Sequence, residues 1–134
     1  MTVIETARTT MTAYLETLLA GGTYDPFFTA DASLYVMGTD QEAHGRDQVV
    51  GLIRYLHEQA FDAHPQIKCL LVDGEKSAIE ADFVGKHIAE FAGKPATGKE
   101  IRVPYSVVYD LEGEQIAALR IYGLLDGIIR QLEA

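Results

Sequence analysis

From Pro65 onward the apolar residues of this chain stop recurring every three or four positions and begin to alternate. Alternation sends successive side chains to opposite faces, so this half of the chain must form strands with one face buried. The segment "QIKCLLVDGEKSAIEADFVGKHIAEF" holds two strands about "DGEK", where Asp-Gly is a strong hairpin signal. "IRVPYSVVYD" and "IAALRIYGLL" are two more around "LEGEQ", and "FAGKPATGKE" is a loop rich in Gly and Pro. Pro104 cannot donate to a ladder, which calls for an edge position or a bulge there.

The first half keeps helical spacing. "TVIETARTTMTAYLETLLAGG" places Ile4, Ala7, Met11, Tyr14, Leu15, Leu18 and Leu19 on one face. Thr2 and Glu5 have the form of a capping box, and Gly21 and Gly22 stop the helix. "DPFF" reads as one short turn with Asp25 as its cap and Pro26 at its first position, and "SLYVMG" as a strand. After the polar loop "TDQEAHG", a second helix is expected from about Arg46 to Ala60. Val49, Ile53, Leu56 and Ala60 mark its buried stripe, while Arg54, His57, Glu58 and Gln59 crowd its later turns. The tail "LLDGIIRQL" returns to helical spacing through Leu125, Ile128, Ile129 and Leu132. Helices gathered on one side of an antiparallel meander make an α+β domain, and 134 residues suffice for one domain.

The charge balance narrows the partners. Twenty acids against 11 Lys and Arg give a net charge of -9, without the clustered basic residues that phosphates require. Nucleic acid and an anionic membrane surface are therefore disfavoured. Cys69 is alone among apolar neighbours, which suits an inert buried thiol. With no membrane-length apolar run and no basic, then apolar, start, the cytoplasm is the expected location. His44, His57, His64 and His87 show no ligand spacing, and "AGKPATGK" lacks the spacing of a phosphate loop, so neither metal nor other cofactor is implied.

Several strings carry a family resemblance. "GKHIAEFAGKPATGKEIRV" resembles the Gly-Thr-His, Gly-Glu-Phe and Pro-x-Thr-Gly-Lys run of SnoaL-like polyketide cyclases, within the nuclear-transport-factor-2-like superfamily. "HGRDQVVGLIRYL" is similar to that family's Gly-Arg helix start, and "RIYGLLDGIIRQL" to its closing strand and Arg-Gln-Leu end. The resemblance implies a cone-shaped, strongly curved, mostly antiparallel sheet wrapped around N-terminal helices, with a deep apolar pocket between them. It also implies a homodimer through the outer sheet face. In those cyclases the acid/base is an aspartate two residues beyond the aromatic of the closing strand. The aromatic matches Tyr122, so the position is occupied by Leu124, and Asp126 lies two further on.

Candidate site residues follow from pattern and resemblance together. His87 falls in the phase of Ile79, Ala81, Phe83 and Gly85, where an imidazole serves as base or donor, or as a core histidine bonded to backbone. Arg120 shares a phase with Ile116, Ala118, Tyr122 and Leu124. A guanidinium there either meets an acid, with Glu80, Asp82 or Asp126 as candidates, or holds a ligand oxygen. Asp126 is either a cap or turn residue before Gly127 or an acid reaching the pocket. Tyr14, Tyr35, Tyr105 and Tyr122, with Phe83 and Leu124, are the expected walls for a small apolar or aromatic ligand. Two functions remain open. One is a cofactor-free cyclase, isomerase or lyase acting on an apolar carbonyl compound; the other is a binding or accessory domain that has lost the acid.

Overall fold

The computed structural model describes residues 2–134. Helix α1 (Val3–Ala20) starts where expected, with Thr2 Oγ1 accepting the Glu5 N–H at 3.1 Å. It ends at Gly21, whose φ of 73° lets its N–H return to the Thr17 carbonyl. A single 3-10 turn, Asp25–Phe27, follows; Asp25 is its first residue and makes no side-chain capping bond. The expected second helix divides in two. It is α-helical over Arg46–Arg54 (α2), and then Tyr55–Ala60 form a π turn. Helix α3 (Leu124–Glu133) closes the chain.

Among the described residues seven strands make one sheet: β1 (Phe28–Val36), β2 (Glu42–His44), β3 (Phe61–Ala63), β4 (Gln66–Asp73), β5 (Lys76–His87), β6 (Glu100–Glu112) and β7 (Gln115–Tyr122). The order is β2-β1-β7-β6-β5-β3, with β4 also pairing β5. The pairs are antiparallel except β1 with β7, which is parallel. The sheet is thus mixed, and it curls into a half-barrel around the three helices. Strands β2 and β3 lie in segments too short and polar to show alternation, and β1 begins five residues ahead of "SLYVMG". Both expected hairpins are present, with Asp73 opposite Lys76 and Glu112 opposite Gln115.

Bulges decide which residues face inward. Between Ile67 and Cys69 the β4–β5 register shifts, so Cys69 stands opposite the exposed Glu80 and is only half-buried. A second shift, between Asp110 and Leu111, interrupts the phase of β7. Ile116 and then Leu119 are buried, while Arg120 and Tyr122 turn outward. Pro104 is tolerated because β6 outruns β7. Their pairing begins at Ser106 opposite Tyr122, which leaves Pro104 locally at an edge.

The core fills the concave side. Helix α1 packs on β4 and β5, α2 on β1, and α3 on β6. The α3–β6 approach is close enough that a Cβ on Gly127 would lie 2.3 Å from Val103 Cγ1. Helix preference alone would favour alanine at 127 by about 1 kcal/mol. Overpacking a stiff, buried valine costs about 1–3 kcal/mol, which outweighs it. Gly127→Ala is therefore expected to lower the denaturation midpoint in urea, with Val103→Ala in the same chain recovering part of the loss.

Candidate functional site

The site is built around the π turn. A widened turn is uncommon in a helix and tends to occur where function requires it. Three side chains tie it in place. The Tyr55 hydroxyl donates to the Glu90 carbonyl at 2.6 Å. The Tyr24 hydroxyl donates to Glu58 Oε2 at 2.8 Å, and the Arg54 guanidinium sits 5.0 Å above the same tyrosine ring. The third tie is His57, whose Nδ1 lies 2.8 Å from the Ile53 carbonyl.

Two adjacent spaces lie between this turn, α3 and the concave sheet. The outer one is an apolar groove of about 410 Å³. It is lined by Leu125, Ile128 and Ile129 of α3, by Tyr55, Phe91 and Ala92, and by Val36 and Gln41. Ala92 has a positive φ of 51°, in a tight turn closed by reciprocal bonds between Phe91 and Lys94. The inner space is a chamber of about 40 Å³, lined by Tyr14, His57, Tyr105 and Tyr109 among aliphatic side chains. Leu52, Leu56, Ile121 and Leu124 line both spaces and form the neck between them.

The chamber is aromatic and uncharged. Tyr14 meets Tyr109 edge-on at 6.0 Å, and Phe83 meets Tyr105 at 6.4 Å and His57 at 5.5 Å. Burial pushes the phenols of Tyr14, Tyr105 and Tyr109 well above their ordinary range, and for Tyr14 and Tyr109 the neighbouring phenols add to the effect. They stay protonated donors. Burial also lowers the His57 pKa, against smaller opposing effects of the Ile53 carbonyl and Glu58, which favours the neutral ring. His57 Nε2 is buried without a hydrogen-bond partner.

The residues singled out from sequence are dispersed. Tyr14, Tyr105 and Leu124 stand on the cavity walls, and Phe83 is fully buried behind them against His57. His87 does point inward, but it lines neither space. It is fully buried, stacked on Phe61 at 5.1 Å, and its Nδ1 accepts the Thr97 N–H at 3.2 Å with Thr97 Oγ1 at 3.0 Å. It thereby fastens the 88–99 loop to β5. Arg120 faces outward and meets an acid that the pattern did not suggest. Its guanidinium grips Asp110 on β6 at 2.8 and 3.0 Å, two residues along the strand from its pairing partner Val108. Tyr35, opposite Arg120, and the exposed Tyr122 share that outer face. Asp126 is exposed in the first turn of α3, where its charge suits the helix N-terminus, and it caps nothing. His87, Arg120 and Asp126 therefore do not converge on one site.

Comparison with known proteins explains the architecture. The SnoaL-like polyketide cyclase family profile matches residues 10–132. The chain belongs to that family. No curated protein matches it. Among solved structures, a provisionally assigned SnoaL-like polyketide cyclase from Jannaschia sp. CCS1 is 17% identical with a TM-score of 0.87, covering 98% of this chain and 94% of that one. AclR from Streptomyces galilaeus, provisionally a hydroxylase, is 14% identical with a TM-score of 0.80, covering 97% of each. A protein of ketosteroid isomerase-like fold from Catenulispora acidiphila, in complex with trimethylamine, is 22% identical with a TM-score of 0.70, covering 91% and 90%. At these identities the likeness is one of fold.

In this SnoaL-like chain, Leu124 opens α3 and is 5% exposed at the neck of the two spaces. An acid at that position would face the pocket; the leucine makes it apolar. His57 is the wall residue that the sequence pattern passed over. Its spacing of four from Ile53 and eight from Val49 was the available signal.

The outward ion pair has a measurable consequence. Arg120 and, less strongly, Lys76 hold the Asp110 carboxyl down to about 2. An acid depressed in the folded state adds stability that is complete above its unfolded value, roughly 3.9, and is lost as pH falls through the folded one. Asp110→Asn is expected to flatten the thermal-stability profile on the acid limb below about pH 4 relative to wild type, as followed by circular dichroism.

Proposed function

We propose that this SnoaL-like protein binds a small, mostly apolar ring compound bearing a carbonyl, and acts on it by cofactor-free acid–base chemistry of the cyclase, isomerase or lyase kind. The observation that carries this reading is an apolar groove that shares four wall residues with a chamber walled by protonated phenols. The groove has the size of an ordinary small-molecule site, about 300–1,000 Å³. Phenols held among apolar side chains are suited to donate to an oxygen that gains charge as an enolate forms. An uncharged interior favours a neutral ligand, since a charged one would lose its hydration without a counter-ion.

Leu124 favours a second reading, a binding or accessory domain that keeps the pocket without turnover. A thermal-shift screen of small carbonyl and polyketide-like compounds separates the readings when each hit is also incubated and its products resolved by mass. Conversion to an isomer or a dehydrated product supports the enzyme. Binding without conversion across all hits supports the accessory domain. Leu124→Trp fills the neck and is expected to abolish the shift for every hit while leaving the fold intact by circular dichroism; hits that survive the substitution bind elsewhere.

The outer sheet face fits the expected homodimer, because the half-buried Tyr35, Val108 and Arg120 and the exposed Tyr122 gather there. Light scattering is expected to give twice the chain mass for the wild type and the monomer mass for Val108→Glu, which places a carboxylate at the centre of that face.

A further inference from the structure

Among the described residues two buried imidazole nitrogens have no partner, His57 Nε2 and His87 Nε2, and they differ in kind. In His87 the Nδ1 accepts the Thr97 N–H, so in the neutral ring the proton sits on Nε2, away from both spaces. In His57 the arrangement is reversed. Its Nδ1 faces the Ile53 carbonyl, which can only accept, so the proton of the neutral ring belongs on Nδ1 and Nε2 is a bare lone pair. Only this second ring is part of the chamber wall.

We propose that His57 Nε2 is the hydrogen-bond and proton acceptor of the pocket, receiving the polar tip of a ring compound that carries an enol or phenol hydroxyl. This rests on the pocket reading above and names the group that reading lacks. Size sets the ligand's orientation. A chamber of about 40 Å³ admits a hydroxyl-sized group but no ring, whereas the groove of about 410 Å³ holds a ring. The ring therefore stays outside the neck of Leu52, Leu56, Ile121 and Leu124, and its oxygen end passes through. Among the side chains that line the chamber, His57 is the one whose free ring nitrogen can only accept, beside the phenols of Tyr14, Tyr105 and Tyr109, which can donate; the set matches a hydroxyl next to a carbonyl. Two of these phenols come from β6 and one from α1, while Glu58 is the charged neighbour on the turn itself.

With an enol or phenol ligand the same geometry moves a proton. The ligand's O–H bond breaks and an N–H bond forms at Nε2. The released pair stays on the oxygen, and a phenol O–H holds the resulting enolate or phenolate. The imidazolium returns its proton to that oxygen, so no oxidant or reductant takes part.

The test compares naphthol, its methyl ether and naphthalene as probes on the full chain by calorimetry, alongside long-range proton–nitrogen NMR of the histidine rings. Wild type is expected to bind naphthol about tenfold tighter than the ether, a factor in keeping with one hydrogen bond. His57→Phe is expected to remove that preference and keep the naphthalene affinity. In ligand-free wild type the His57 proton should sit on Nδ1, and naphthol but not naphthalene should move the Nε2 resonance. Equal affinity for naphthol and ether, or a proton already on Nε2, overturns the acceptor assignment and leaves the pocket standing. Failure of all three arenes to bind overturns the pocket reading and this inference with it. Should His57→Phe not fold, the probe series and the NMR on wild type decide.

Discussion

Strands β5 and β6 run paired from Lys76 opposite Asp110 to Lys86 opposite Glu100, and the rest of the molecule exists to cover their concave face. That face presents Ile79, Ala81, Phe83, Val103, Tyr105, Val107 and Tyr109, an apolar surface too large for one helix. Helix α1 packs on β5 and α3 on β6, while α2 closes the side over β1. Large rings meeting edge-on fill the centre without closing it, since Tyr14, Tyr109, Phe83 and Tyr105 pack at centroid distances of 6.0 to 6.4 Å where they meet in pairs. The remaining space is the chamber, and its opening is the gap between the π turn and α3.

Charge is segregated by the same sheet. On the convex side Asp110 is bound by Arg120 and Lys76, and Asp82 by Arg102 and Lys68. Arg102, and Lys68 after it, hold the Asp82 carboxyl below its usual range, although its own side chain is almost covered. The concave side has no charged wall residue in either described space. The polar groups of the chamber wall are phenols that burial keeps protonated and an imidazole that burial keeps neutral, and the groove adds the uncharged Gln41 and Tyr55. Such a site recognises its ligand through hydrogen bonds and shape, with little electrostatic steering.

Much of this was legible in the chain. The change of period at Pro65, the Asp-Gly hairpin, the Thr2 cap and the Gly21 stop all located real elements, because each depends on local stereochemistry. The inward phase of β5 was legible for the same reason, and His87 is buried as alternation requires. Where strand phase was misread, a bulge was responsible. One extra residue at the Asp110/Leu111 step breaks the alternation of β7, so Arg120 does not share the side of Ile116. Its true partner, Asp110, was hidden because cross-strand diagonals depend on register rather than on order along the chain.

The α+β class, the antiparallel hairpins, the apolar wall and the leucine at position 124 are properties of the sequence itself, fixed by period, turn chemistry and residue identity. The tertiary structure alone decided which polar groups meet inside. A histidine in the middle of a polar run became a chamber residue because the helix widens into a π turn and hands its Nδ1 to Ile53. A histidine on a clear inward phase became a strut because Thr97, ten residues on, folds back onto it. Periodicity tells a side chain which way to point; what it finds there depends on segments far away in the chain.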